Sequence, residues 1–112
     1  MVSLGRHISL WKKDERLKAL AQARPIFRSP LFDIRILPKQ DEIARIIVVT
    51  PKKVGSAPYR NLLKRRSRSI FYQEKMYQSA FDWVIFFRPS QAAILDYKNL
   101  HEKLVELFHI NN

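Results

Sequence analysis

The sequence predicts an α+β fold, an α/β sandwich in which three helices pack on a small mixed sheet. Three observations carry this expectation. Two short apolar runs, 46–49 and 83–87, are rich in β-branched and aromatic residues and suit buried strands. Between them lies a stretch long enough for a helix, and a strand, a long helix and a strand in series imply a parallel pair. At the end of the chain, Tyr97, Leu100, Leu104, Leu107 and Phe108 recur at the spacing of one helical face.

Taken in order, the elements read as follows. A first helix is expected over 13–23, with Leu17 and Leu20 at i, i+3, alanines in the gaps, and Pro25 ending it. Phe32, Ile34 and Ile36 then alternate with Asp33 and Arg35, the period of a half-buried strand. Residues 38–42 read as a polar turn, and 45–50 as a β-branched central strand that Pro51 stops. Ser56 can cap a second helix, with Pro58 tolerated in its first turn, running to about 74–76. A strand over 82–87 ends at Pro89, and Asp96 can cap the last helix. The order is α-β-β-α-β-α, with room for one more short strand that the pattern does not place.

At 112 residues, without an internal repeat or linker, the chain reads as one domain over 1–112. A hydrophobic content of 46% with 12% aromatic residues argues against disorder of the whole chain. There is no cysteine, which excludes a disulfide framework or thiolate metal site and fits a reducing compartment; the expected location is the cytoplasm. Charge interrupts the N-terminal residues before a signal-peptide core could form, and no apolar run approaches the roughly 20 residues that span a bilayer.

The formal net charge of +11 is the most informative number, because a small domain this basic repels itself unless a polyanion is near. The charge is concentrated. Residues 43–73 contain no acid, while Arg45, Lys52, Lys53, Arg60, Lys64, Arg65, Arg66 and Arg68 supply eight positive charges. On a wheel of about 100° per residue, Arg60, Lys64, Arg68, Asn61 and Arg65 fall within an arc of roughly 140°. Tyr59, Leu62, Leu63 and Ile70 occupy much of the opposite side. Charge runs are usually just solvated faces, but ordinary exposed helices intersperse both signs. Pairs such as Arg60–Lys64 and Lys64–Arg68 each cost a few tenths of a kcal/mol in an isolated helix, so a face of this kind fits phosphates. Membrane binding is disfavoured because the apolar residues opposite the charges are needed for the core. Arg66 alone intrudes into the apolar arc, and it can lay its stem along that surface while carrying its head outward.

The residues from Lys52-Lys53 through Gly55, Ser56, Arg60, Asn61, Lys64 and Arg65 to Arg68 and Phe71 resemble the signature of the bacterial ribonuclease P protein family. The later Asp82-Trp83-Val84-Ile85-Phe86-Phe87-Arg88 and the Leu107-Phe108 pair match in order and distance, so the resemblance extends over about 13–108. It implies a ribosomal-protein-like sandwich with a left-handed crossover around the basic helix, a departure from the usual hand of such connections. It also implies a role as protein subunit, with Mg²⁺ held mainly by the RNA subunit and catalysis by that RNA. The implied partners are ribonuclease P RNA and the 5′ leader of precursor tRNA.

On this reading Lys52, Lys53, Arg60, Asn61, Lys64, Arg65, Arg66, Arg68, Arg35 and Arg45 are the candidate RNA-binding residues. Arginine and lysine neutralise crowded phosphates, Asn61 offers a donor and an acceptor to a 2′-hydroxyl, and Arg35 can hold a phosphate or stack on a base. Two departures from the family pattern stand out. Leu62 occupies the place of its second arginine, and Leu17 with Leu20 or Ala21 occupies that of the aromatic residues on its first helix.

No catalytic or metal-ligating residue is expected. His7, His101 and His109 are not at metal-binding spacings, and Lys103 sits between Glu102 and Glu106. The other reading open to the sequence is a structural RNA-binding protein, ribosomal or ribosome-associated, on the same fold. DNA binding is not expected, because no groove-reading motif is present.

Overall fold

The computed structural model describes residues 13–89 and 97–111. Its elements are α1 (Lys13–Gln22), β1 (Arg24–Arg28), β2 (Phe32–Pro38), β3 (Ile46–Val49), α2 (Ala57–Gln73), β4 (Phe81–Phe87) and α3 (Tyr97–Asn111). Single 3₁₀ turns at Lys52–Val54 and Met76–Gln78 flank α2. The expected cap of the last helix, Asp96, lies outside the described residues.

The four strands form one mixed sheet in the order β1-β2-β4-β3. β2 runs antiparallel to both β1 and β4, and β3 is parallel to β4, with Ile46 opposite Trp83 and Val48 opposite Ile85. The strand–helix–strand reading of the sequence therefore holds. The unplaced strand is β1, a five-residue edge strand containing Pro25 and an irregularity in register between Pro25 and Phe27. It joins β2 through a turn in which the Ser29 hydroxyl accepts from Phe32 N (3.1 Å) and donates to Phe32 O (2.8 Å). Proline and an interrupted alternation hide such a strand from sequence patterning.

Each face of the sheet carries its own packing. Phe32, Ile34 and Ile36 of β2, Ile46 and Val48 of β3, and Trp83, Ile85 and Phe87 of β4 face α2 and α3. Leu63, Ile70 and Phe71 meet them from α2, and Leu100, Leu104, Leu107 and Phe108 from α3. On the other face, Leu37, Ile47 and Val84 pack against Ala19 and Ala23 at α1. The Trp83 indole is fully buried and satisfied, its N–H donating to the Ser79 hydroxyl at 2.9 Å.

Three expectations change here. β2 is buried on both faces, with Asp33 and Leu37 as covered as Ile34, because α1 and paired charges occupy the side that alternation marks as solvent-facing. β3 is an edge strand: its apolar run reports cover by helices on both faces, not a central place in the ladder. In α1 the leucines do not lead the core contact, and Leu20 only packs against its edge. Leu17 is 58% exposed and Leu20 half-buried, while Ala19 and Ala23 are buried, since small side chains let the helix approach the sheet.

A buried polar network ties α1 to the start of β3 and β4. Arg45 donates from its guanidinium to Glu15 at 2.9 Å and lies 4.0 Å from the Asp82 carboxylate, whose Oδ1 accepts the Arg45 backbone N–H at 2.6 Å. Burial pushes the Asp82 carboxyl up to about 6. The folded state thus disfavours the ionised form, and Asp82's contribution to stability falls as pH rises from about 4 through 6. Asp33 acts in the opposite sense. Its hydrogen bonds from Arg88 hold its carboxyl below the usual range, so its contribution is lost as pH falls through that range. Asp82→Asn is therefore expected to gain stability relative to the native chain between pH 4 and 7, by up to about 3 kcal/mol. Urea unfolding across that range checks this, and a pH-independent difference would refute it.

Candidate nucleic-acid interface

The basic surface is built by the connection from β3 into α2. Pro51 ends the strand, and the 3₁₀ turn Lys52–Val54 leaves both lysines exposed. Gly55 follows with the Tyr59 ring directly over it: a Cβ added at Gly55 would lie 2.7 Å from Tyr59 Cδ2. Ser56 caps α2, its hydroxyl accepting from Tyr59 N at 3.4 Å, and Pro58 sits in the first turn where its missing N–H costs nothing.

The helix then buries Leu63, Ser67, Ile70 and Phe71, one stripe at i, i+4, i+7 and i+8. Ser67 is fully buried at the contact, and its hydroxyl donates to Leu63 O at 2.8 Å, so a small polar residue fits there without an unmet donor. With that stripe committed to the core, the cations have only the outside left. Asn61, Arg65, Arg66 and Arg68 are exposed; Arg60 and Lys64 are half-buried along one flank. The Arg60 Nε donates to Gly55 O at 3.2 Å, fixing its stem to the loop that precedes the helix.

Lys52, Lys53, Arg60, Asn61, Lys64, Arg65 and Arg68 are thereby brought onto one continuous surface. None of these cations has a carboxylate within ion-pairing distance among the described residues. Arg66 stands on the opposite flank of α2, its guanidinium 4.9 Å from the centre of the Tyr97 ring on α3. Leu62 is half-buried and does not join the core stripe, a shift from the apolar side on which the wheel places it.

Two candidates lie elsewhere. Arg45 is only 7% exposed and engaged with Glu15 and Asp82, so it is not on the basic surface. It falls within the acid-free window of the sequence, but its partners come from distant elements. Arg35 is on the other face of the sheet, half-buried, with its guanidinium 5.5 Å from the Phe86 ring and 3.6 Å from Asp33. Arg88, which the residue pattern did not single out, shares that carboxylate through Nε at 3.1 Å, and register places Arg28 opposite Asp33. The signal for this cluster was Asp33 itself, an acid in a strand between apolar neighbours. No three His, Asp or Glu side chains converge among the described residues, and His101 pairs with Glu74 at 2.7 Å.

A sheet with helices on both faces and one acid-free cationic helix defines a basic RNA-binding sandwich. The family model for ribonuclease P matches residues 4–111, and the chain belongs to that family, the protein component of ribonuclease P. It is 30% identical over 79 residues to the ribonuclease P protein component of Streptococcus agalactiae, covering 70% of this chain and 72% of that one. The corresponding protein of Dictyoglomus thermophilum is 27% identical over 110 residues, covering 96% and 91%. In fold, the chain is similar to the RNase P protein from Thermotoga maritima, with a TM-score of 0.73 at 24% identity over 92% of this chain and 96% of that one. The Staphylococcus aureus RNase P protein gives a TM-score of 0.71 at 20% identity, covering 90% and 92%. These matches favour the ribonuclease P reading over the ribosomal one. No described helix is long and apolar enough to cross a membrane.

The contact between Gly55 and Tyr59 gives a direct test of how the loop positions the helix. Gly55→Ala should displace the Tyr59 ring and lower stability by about 1 kcal/mol or more, as overpacked sites do. Urea unfolding measures this, and a neutral outcome would show that the ring is not held against the loop.

Proposed function

We propose that this chain docks the basic surface of α2 on ribonuclease P RNA and supports removal of the 5′ leader of precursor tRNA, with the RNA carrying the catalysis. The observation that carries this reading is the set of cations on α2 and the preceding turn with no acid among them. Such a surface neutralises closely spaced phosphates and releases their counterions on binding. Asn61, exposed between Arg60 and Arg65, can donate to and accept from a 2′-hydroxyl, which a surface of cations alone cannot do.

The half of the sheet around Arg35 faces away from α2. There a guanidinium beside the Phe86 ring offers a stacking plane and N–H donors, suited to an unpaired strand such as the leader. Mg²⁺ belongs to the RNA in this reading. The expected compartment is the cytoplasm.

Adding the chain to its cognate RNA should raise precursor-tRNA cleavage at low Mg²⁺, and the benefit should shrink as Mg²⁺ rises, because protein cations replace part of the counterion demand. Cleavage by the protein with no RNA present would overturn the assignment of catalysis. RNA affinity should also fall steeply with salt, and Lys64→Ala or Arg68→Ala should each reduce the slope by somewhat under one unit if each meets one phosphate. Unchanged slopes in both would place the RNA elsewhere.

A further inference from the structure

Arg66 differs from every other cation of α2. It stands on the flank facing α3, apart from the arc of Arg60, Lys64, Arg65 and Arg68, and its guanidinium rests over the Tyr97 ring at 4.9 Å. The Tyr97 ring is half-buried, and its hydroxyl is enclosed without a hydrogen-bond partner among the described residues. The ring supports the arginine. Burial also raises the Tyr97 phenol above its usual range.

We propose that Tyr97 is a positioning residue for Arg66, and that the pair carries the surface for ribonuclease P RNA across the seam between α2 and α3. The inference rests on the RNA-docking function proposed above and adds a second flank to it. Stacking engages the face of a guanidinium and leaves the N–H groups at its edge free, so a stacked arginine can still hold a phosphate through two of them. No carboxylate is within ion-pairing distance of Arg66 among the described residues to compete for those donors. A long side chain loses rotamer freedom when it captures a phosphate, and a ring that already orders it removes part of that loss before binding.

The place of the pair also fits a single partner. One turn before Arg66 on α2 stands Leu62, half-buried and uncharged, and Arg66 is the cation whose guanidinium lies over the Tyr97 ring. Arg65, next to it in sequence, is exposed as well. The pair lies on the side of the sheet that packs α2 and α3, opposite Arg35 and α1. An RNA seated on α2 therefore reaches Arg66 without passing around the sheet, whereas a strand lying at Arg35 cannot. The occupant is the RNA subunit and not the leader.

The test is equilibrium binding of the full chain to its cognate ribonuclease P RNA over a series of KCl concentrations, for single and double variants. Arg66→Ala should weaken binding several-fold and lower the salt slope by somewhat under one unit. Tyr97→Leu should weaken binding with the slope retained, since no charge is lost, and should add nothing in the Arg66→Ala background. Tyr97→Phe, which keeps the ring and removes the hydroxyl, should bind like the native chain and controls for folding. Arg66→Lys should keep the slope and lose affinity, because an ammonium lacks the planar fork. If Tyr97→Leu weakens binding equally with and without Arg66, Tyr97 is a scaffold residue and the proposal fails. If Arg66→Ala changes nothing while Lys64→Ala lowers the slope, the proposal fails and the RNA-docking reading stands. If none of these variants alters the slope, both fall.

Discussion

The burial of β4 on both faces is the constraint from which the rest of this molecule follows. Trp83, Val84 and Ile85 are each fully buried, and the strand is hydrogen-bonded on both edges, antiparallel to β2 and parallel to β3. A parallel partner cannot be reached by a tight turn, so the chain between β3 and β4 must cross a face of the sheet. That crossing is α2, and it must give Leu63, Ser67, Ile70 and Phe71 to the sheet. Asn61, Arg65, Arg66 and Arg68 of that 17-residue helix are then left exposed. The cationic surface is in this sense a consequence of where the core had to be.

The two faces treat charge differently. On the α1 side three arginines are tied to carboxylates: Arg45 to Glu15 and Asp82, and Arg88 and Arg35 to Asp33. Those pairs hold elements in place, and Arg45 does so from within the interior, where losing Glu15 would leave its guanidinium without its closest carboxylate. On α2 no acid answers the cations. Like charges one turn apart destabilise the helix slightly, and a net charge of +11 destabilises the compact chain as a whole. Packing of the apolar stripe and the Ser56 cap offset that repulsion locally, and bound phosphate removes it.

Much of this was legible in the residues. The start of α2 was fixed by Ser56 and Pro58, its core face by Leu63 and Ile70, and its charge by the absence of acids; these are local properties and survive into the fold. The α3 stripe was equally plain. What the residues did not reveal depends on neighbours distant in sequence. Arg45 reads as one more cation of a basic window until Glu15 and Asp82 enclose it, and β3 reads as central because helices cover both its faces. Ala19 and Ala23 outcompete Leu17 for the sheet because close approach favours small side chains, which helical spacing alone does not disclose. For Arg66 the clue was present: a lone cation in an apolar arc asks for a partner across the helix, and Tyr97 is that partner.

The central claim is that α2 and its preceding turn form the face that meets RNA. Lysine acetylation of the free chain and of its complex with ribonuclease P RNA, read site by site by mass spectrometry, measures this directly. Lys52, Lys53 and Lys64 should become protected in the complex, while Lys18, exposed on α1 across the sheet, should keep its reactivity. Protection of Lys18 with Lys52, Lys53 and Lys64 left reactive would place the RNA on the other face and contradict the account.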